Sequence, residues 1–421
     1  MPKKAEKPAP EEKAGEMPAK AGKPSGYAEQ AELNIGMVGH VDHGKTSLTF
    51  ALTGKWTDTH SEELKRGISI RLGYADATFY KCGSCTGSQA YTNKPECPSC
   101  GKKAVQLRRV SFVDAPGHET LMATMLSGAA LMNGAILVVA ANEPCPQPQT
   151  EEHLMALKIG GIEKIIVAQN KIDLVEKENA IENRKQIEQL LQRYGYKDTP
   201  IIPIAANFAT NLDMLIEAIE QNIPTPKFDL ESPLLMYCAR SFDVNKPGTE
   251  PDKMVGGVVG GSVISGRIKV GEDIVISPGI DGREIKTKVK SLSCVGGNLT
   301  EAKPGGLVAA GTELDPSLTQ NDRMRGQVVA APGSLPKPVD RIVLQLNYFE
   351  RLVGGAEIRI AVNDSVVLTV GTMSVVGTVA GMQGGKVTLA LKGSAMVLPK
   401  QKIAVSKKEN GRWRLVAYAV A

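Results

Sequence analysis

Gly39-His40-Val41-Asp42-His43-Gly44-Lys45-Thr46 reads G-x-x-x-x-G-K-T, and its reading decides the fold of the first half of the chain. A loop of this pattern wraps phosphates with backbone N–H groups. Its lysine reaches the outer phosphates and its threonine hydroxyl reaches Mg²⁺. The motif requires a strand before it and a helix after it. Leu33-Asn34-Ile35-Gly36-Met37-Val38 reads as a buried strand, and Lys45–Leu52 reads as a helix that stops near Gly54. Gly39, His40, Val41, Asp42, His43, Gly44, Lys45, Thr46 and Ser47 are therefore candidate phosphate-binding residues. The loop alone specifies a nucleoside triphosphate and no particular base.

Outward from the loop, short apolar runs recur at Val110–Val113, Ala135–Ala140, Lys164–Ala168 and Ile201–Ala205. Helical stretches such as Lys177–Tyr194 and Asn211–Ile223 lie between or after them. This alternation predicts a doubly wound, mostly parallel α/β sheet. The last helix meets Pro224-Thr225-Pro226, a strong stop. Beyond it the pattern changes to glycine-rich, alternating apolar runs: Gly256–Ser265, Glu284–Ser291, Ile342–Leu346, Ser365–Val370, Lys386–Leu391 and Trp413–Tyr418. These predict two all-β barrels divided at Pro332-Gly333-Ser334-Leu335-Pro336. The expected units are a tail at 1–31, a nucleotide domain at 32–226, and barrels at 233–334 and 337–421.

Composition narrows the class. Residues 1–27 are rich in Lys, Glu, Pro and Ala, with almost no large apolar side chains. They cannot bury enough surface to offset ordering entropy, and read as disordered. No apolar run approaches the roughly 20 residues of a membrane span, and the first residues lack the apolar core of a signal peptide. A cytoplasmic location is expected. The net charge of +5 is uneven: residues 337–421 carry 12 Lys and Arg against 5 Asp and Glu, whereas residues 233–336 carry 12 against 11. A basic third unit fits a polyanionic partner.

Two further motifs identify the base and the switch. Asp114-Ala115-Pro116-Gly117-His118 follows the strand Val110–Val113. Asp114 is placed to hold Mg²⁺, and Gly117 to present its N–H to the γ-phosphate, so that loss of that phosphate releases the segment. Asn170-Lys171-Ile172-Asp173 follows the strand Lys164–Ala168. The Asp173 carboxylate accepts from guanine N1 and N2 together, a donor pair that adenine lacks. Asn170 is expected at the ring edge and the Lys171 stem over the base plane. Between the first two motifs, Ser69 offers a second hydroxyl to Mg²⁺. His118 sits where a side chain must orient water, because phosphoryl transfer depends on positioning and charge.

Cys82-Gly83-Ser84-Cys85 and Cys97-Pro98-Ser99-Cys100 form C-x₂-C…C-x₂-C. Four thiolates at this spacing suit tetrahedral zinc in a structural role. Cys145, Cys238 and Cys294 stand apart and read as buried thiols.

These residues resemble the gamma subunit family of archaeal and eukaryotic translation initiation factor 2, within the translational GTPases that include elongation factor Tu. The resemblance covers roughly residues 32–421. It is carried by Gly39–Ser47, Trp56–Tyr74, the four-cysteine insert, Asp114–Glu119, Ala239–Thr249 and Arg412–Tyr418. It implies a GTPase domain with a zinc knuckle, two barrels, and a heterotrimer with alpha and beta subunits. It also implies that initiator methionyl-tRNA is delivered to the small ribosomal subunit. By the same likeness, Val41 and Ile68 screen the water near His118, Asp42 helps organise Mg²⁺, and the segment Ala205-Ala206-Asn207 faces guanine, with the Ala206 N–H toward O6. The chain departs from the family at Ser69, where Thr is usual, and at Ala205, where Ser is usual. Other readings share the motifs: an elongation-type factor, including the selenocysteine-specific kind, and the GTPase subunit of a metabolic enzyme.

Overall fold

The computed structural model describes residues 28–57, 72–118, 121–349, 358–409 and 411–421. The first sheet contains β1 (Asn34–Val38), β2 (Gly73–Lys81), β3 (Tyr91–Thr92), β4 (Val105–Asp114), β5 (Gly134–Ala140), β6 (Ile165–Asn170) and β7 (Ile201–Pro203). Its order is β3-β2-β4-β1-β5-β6-β7. β1 pairs in parallel with β4 and β5, and β6 and β7 continue the parallel run. β2 and β3 form an antiparallel edge. β1 thus lies at the point where the strand order reverses. In open α/β sheets the crevice beyond the strand ends at that point holds the ligand.

Two apolar layers sandwich this sheet, and strand periodicity sorts residues between them. Ile136 and Val138 of β5 join Leu48 and Leu52 of α1 (Lys45–Thr53) and Leu215 and Ile219 of α5 (Leu212–Asn222). Leu137 and Val139 face the other way. They meet Met125 of α2 (Met122–Ala129), Leu154 of α3 (Pro148–Gly160) and Ile187 of α4 (Lys177–Arg193). α2 and α3 escaped the sequence reading. In α3 the reason is physical: residues 149–157 and Ile159 are all buried, so no polar face alternates with an apolar one.

Among the described residues the remaining strands form two antiparallel barrels and one short ribbon. Seven strands between Leu235–Phe242 and Val328–Ala330 make the barrel of the second unit, closed by pairing of Asp273–Ile280 with Arg283–Cys294, while Ile268–Lys269 pairs with Glu301–Ala302 as a separate ribbon. Seven from Val339–Gln345 to Arg412–Val420 make the third. Polar contacts join the three units. Asn34 of β1 is fully buried, and its Nδ2 donates to Leu131 O and to Ser262 Oγ of the second unit, both at 3.0 Å. Thr372 Oγ1 donates to Cys238 O at 3.1 Å, and Gln401 Nε2 to the Tyr237 hydroxyl at 3.0 Å.

Two expectations need correction. Composition predicts a tail through residue 31, yet residues 28–31 pack on the second unit. Ala31 is buried, and Gln30 Nε2 donates to Lys303 O and Gly305 O. One amide answers two loop carbonyls there, and composition does not reveal that. Cys294 is only half-buried, on a strand next to the Glu29 carbonyl, whereas Cys145 and Cys238 are buried.

Arg108 of β4 ties the sheet to α5. It is 7% exposed, pairs with Glu220 at 2.8 Å, and donates to Ile223 O at 2.8 Å and Thr225 Oγ1 at 3.0 Å. A cation at these last-turn carbonyls also complements the helix dipole. Arg108→Ala leaves Glu220 without its partner and is expected to cost about 3–5 kcal/mol. Thermal unfolding of the two chains measures it; an unchanged midpoint would refute the assignment.

Candidate functional site: a guanine-nucleotide cleft and a four-cysteine knuckle

The phosphate loop leaves β1 in conformations that demand glycine. Gly39 has φ 139° and Gly44 φ 90°. A Cβ at Gly39 would lie 2.3 Å from Val138 O, and one at Gly44 the same distance from Asn170 Nδ2. Gly44 caps the N-terminus of α1, so the helix's free N–H groups and positive dipole end face the cleft. Lys45 Nζ donates to His40 O at 2.6 Å. Gly117 lies against this loop: its added Cβ would sit 2.5 Å from Lys45 Nζ and 2.9 Å from Val41 N. Only glycine brings the segment after β4 this close to the phosphate position.

Asp114, at the end of β4, is buried, and its Oδ2 accepts from Thr46 Oγ1 at 2.9 Å and Thr57 Oγ1 at 2.6 Å. Thr57 was not singled out from sequence. It lies in no motif, and only folding brings its hydroxyl to β4. This set of hard oxygen donors fits Mg²⁺. Ser69 and Ile68 lie outside the described residues, as does Glu119.

On the base side, Asn170 ends β6. Its Nδ2 donates to His43 O at 2.9 Å, and its Oδ1 accepts from Ala206 N–H at 3.0 Å. Its amide clamps the phosphate loop to the loop after β7, and its oxygen takes the Ala206 N–H expected on guanine O6; both residues also line the cleft described next. Lys171 adopts φ 62°, and the exposed Asp173 sits on the short helical turn Ile172–Leu174.

A cleft of about 500 Å³ joins these parts. It is lined by Val41, Asp42, Gly44, Lys45, Thr46, Ser47, Gly117, His118, Asn170, Lys171, Asp173, Ala206 and Asn207. Trp56, Leu174 and Phe208 also line it and were missed; exposed apolar side chains in loops carry no periodic signal. Gly39, His40, His43 and Ala205 do not line it. His43 is buried behind the loop, 3.2 Å from Val138 O through Nδ1 and 3.4 Å from Glu143 through Nε2. Burial pushes its imidazole down to about 4. Ala205, also buried, pairs with Thr210. His40 faces a second cleft, which shares Val41, Asp42 and His118 with the first and adds Glu143, Gln149 and Arg414.

The cysteine insert folds between β2 and β4. Cys82 and Cys100 sulfurs are 3.5 Å apart, Cys85 and Cys97 sulfurs 3.7 Å, and all four lie within 4.8 Å of one another. A tetrahedral zinc with Zn–S bonds of about 2.3 Å sets sulfurs about 3.8 Å apart. The cluster is compatible with zinc and fits a zinc knuckle. Asn93 in the insert donates to Ala51 O at 3.1 Å and Leu52 O at 2.9 Å, satisfying the last carbonyls of α1.

Comparison with known proteins places these features. The elongation factor Tu GTP binding domain matches residues 30–225, elongation factor Tu domain 2 matches residues 256–330, and the C-terminal domain of initiation factor eIF2 gamma matches residues 340–421. Fold and cleft define a translational GTPase, a GTP-hydrolysing translation factor. Translation initiation factor 2 subunit gamma of Methanothermobacter thermautotrophicus is 51% identical over 403 residues, 93% of this chain and 99% of that protein. That of Pyrococcus abyssi is 51% identical over 405 residues, 93% of this chain and 98% of that protein. The chain belongs to the translation initiation factor 2 subunit gamma family. A bacterial selenocysteine-specific elongation factor superposes with a TM-score of 0.71 at 25% identity, over 93% of this chain and 58% of that one. SelB from Methanococcus maripaludis superposes at 0.69 with 22% identity, over 94% and 79% of the two chains, a likeness of fold. Among the described residues no helix is long and apolar enough to cross a membrane.

The knuckle lies at the end of α1 remote from the nucleotide. Cys97→Ser is therefore expected to abolish stoichiometric zinc, measured by atomic emission on the purified chain, and to lower the thermal midpoint. GDP affinity should stay within about twofold, because the phosphate loop keeps its own hydrogen bonds. Undiminished zinc in the variant would rule out the four-sulfur site.

Proposed function

We propose that the chain is a cytoplasmic, GTP-switched carrier of initiator methionyl-tRNA that delivers it to the small ribosomal subunit in a heterotrimer with alpha and beta subunits. The observation that carries this reading is the union, in one chain of this family, of the guanine cleft with a basic third unit. The working units are taken as residues 32–226, 233–334 and 337–421.

In the nucleotide-bound state, Lys45 exchanges the His40 carbonyl for the outer phosphates. Thr46 and Asp114 hold Mg²⁺, with Ser69 giving the second hydroxyl and Asp42 organising the shell. When bound, Mg²⁺ neutralises charge on the β- and γ-phosphates. Gly117 N–H reaches the γ-phosphate and holds the segment after β4 in place. Asp173 reads guanine N1 and N2, Lys171 covers the base, and Asn207 closes its edge. His118, at the junction of the two clefts, orients water behind Val41 and Ile68. Loss of the γ-phosphate removes the Gly117 contact and weakens tRNA binding.

The reading is tested by the affinity of the purified heterotrimer for initiator methionyl-tRNA. With a non-hydrolysable GTP analogue it should be at least about tenfold tighter than with GDP, a coupling of ordinary size. Equal affinities would defeat the switch. Competition against elongator tRNA separates it from the elongation reading, which the superposition on selenocysteine-specific factors keeps in view.

His118→Ala is expected to slow single-turnover GTP hydrolysis about 100-fold, because misplacing a reactant by about 1 Å costs that much. GTP affinity should stay near the parent value. Unslowed hydrolysis would take His118 out of the mechanism.

A further inference from the structure

Three successive residues of α3 perform three separate tasks. Glu151 pairs with Arg193 of α4 at 3.0 Å. Glu152 pairs with Arg414 of the third unit at 2.7 Å. His153 turns inward, and its Nδ1 accepts the Gly39 N–H, the first of the phosphate loop, at 2.8 Å. We propose that His153 is a positioning residue for the phosphate loop, and that the Arg414–Glu152 pair makes its placement depend on the third unit.

The geometry leaves His153 little freedom. The residue is 1% exposed, so its ring is packed on all sides. An Nδ1 that accepts a backbone proton is unprotonated, and the ring proton is then on Nε2. Burial keeps the imidazole well below its ordinary range, with further depression from the neighbouring Lys45 ammonium. The Gly39 N–H therefore has a fixed, neutral acceptor. Gly39 runs close along β5, where even a Cβ would come within 2.3 Å of Val138 O.

The helix that carries this acceptor is held by the third unit in three ways. Besides Glu152–Arg414, Lys402 Nζ donates to Lys158 O at 3.4 Å. Ala404 and Leu415 share one apolar core with Leu154, Met155, Ala156 and Leu157. Arg414 also lines the second cleft beside His118 and Asp42. A displacement of the third unit therefore moves the helix, and the helix carries the acceptor of the loop. Because coupling between sites is reciprocal, nucleotide at the loop also biases the position of the third unit. This rests on the cleft binding guanine nucleotide, and adds a route by which a ligand on the barrels is sensed there.

The test is the release rate of a fluorescent GDP analogue from the full-length chain, with thermal unfolding recorded for each variant. His153→Leu removes the acceptor and should speed release about fivefold, the effect of one lost hydrogen bond. His153→Asn keeps an oxygen near the Nδ1 position and should restore release to within about twofold of the parent. Arg414→Gln and Glu152→Gln should each speed release, the double variant no more than either single one. The reversed pair, Glu152→Arg with Arg414→Glu, should slow it again. Glu151→Gln combined with Arg193→Gln removes the neighbouring pair on the same helix without leaving a buried carboxylate unpaired and without touching the third unit, and should leave release unchanged. If His153→Leu releases at the parent rate, or the Glu151→Gln, Arg193→Gln double variant matches Arg414→Gln, the proposal is overturned, since the helix is then merely a scaffold.

Discussion

One amide, that of Asn170, holds the nucleotide cleft together. Its nitrogen donates to His43 O in the loop after β1, and its oxygen accepts from Ala206 N–H in the loop after β7. Asn170 itself ends β6, so three strand ends are fixed to one another by a single planar group. The clamp is buried, and a buried amide is stable only when its donors and acceptors are met. Gly44 lets the loop approach: any side chain there would occupy the position of Asn170 Nδ2. Phosphate and base subsites are therefore set at one separation before a nucleotide arrives. Preorganisation of this kind reduces the ordering cost of binding.

The same constraint explains what sequence reading recovered. Residues bound to a strand end by backbone geometry were legible: Gly39, Gly44 and Gly117 by their conformations or close approaches, Lys45 and Thr46 by the turn they open, and Asp173 by its place just after β6, where it lines the cleft. The parallel sheet and the barrels were legible too, since strands buried on both faces and strands buried on one leave different periodicities. The clamp made by Asn170 is not legible in its motif, because its partners are backbone groups of two distant loops. A motif records the residue and not the direction of its side chain. Thr57 and Phe208 were invisible for a related reason: no local pattern marks a hydroxyl or a ring that acquires its role only when loops meet.

α3 shows the opposite failure. Its sequence, Pro148 to Gly160, contains glutamates, a glutamine, a threonine and a histidine on faces that end up buried. An isolated helix with that pattern looks poorly amphipathic and its polar residues look solvated. Burial here is possible because Glu151 and Glu152 each meet an arginine and His153 meets a backbone N–H. Unpaired, each carboxylate would carry a desolvation cost of several kcal/mol. The third unit is thus needed to make α3 a stable element of the first.

That dependence bears on how a three-unit switch can work. A helix stabilised only by its own domain would leave the barrels as passengers. A helix whose buried charge is neutralised by Arg414, and whose apolar face is closed by Ala404 and Leu415, cannot keep its place if the third unit leaves. Asn34 imposes a similar demand on the second unit, since Ser262 accepts one of its buried donor hydrogens. Each barrel therefore completes the hydrogen bonding of an element that touches the nucleotide loop: β1, which feeds it, and α3, which braces it. Movement of either barrel must expose or orphan a polar group on an element joined to that loop. A small change at a phosphate can in this way be matched energetically by a rearrangement of whole domains.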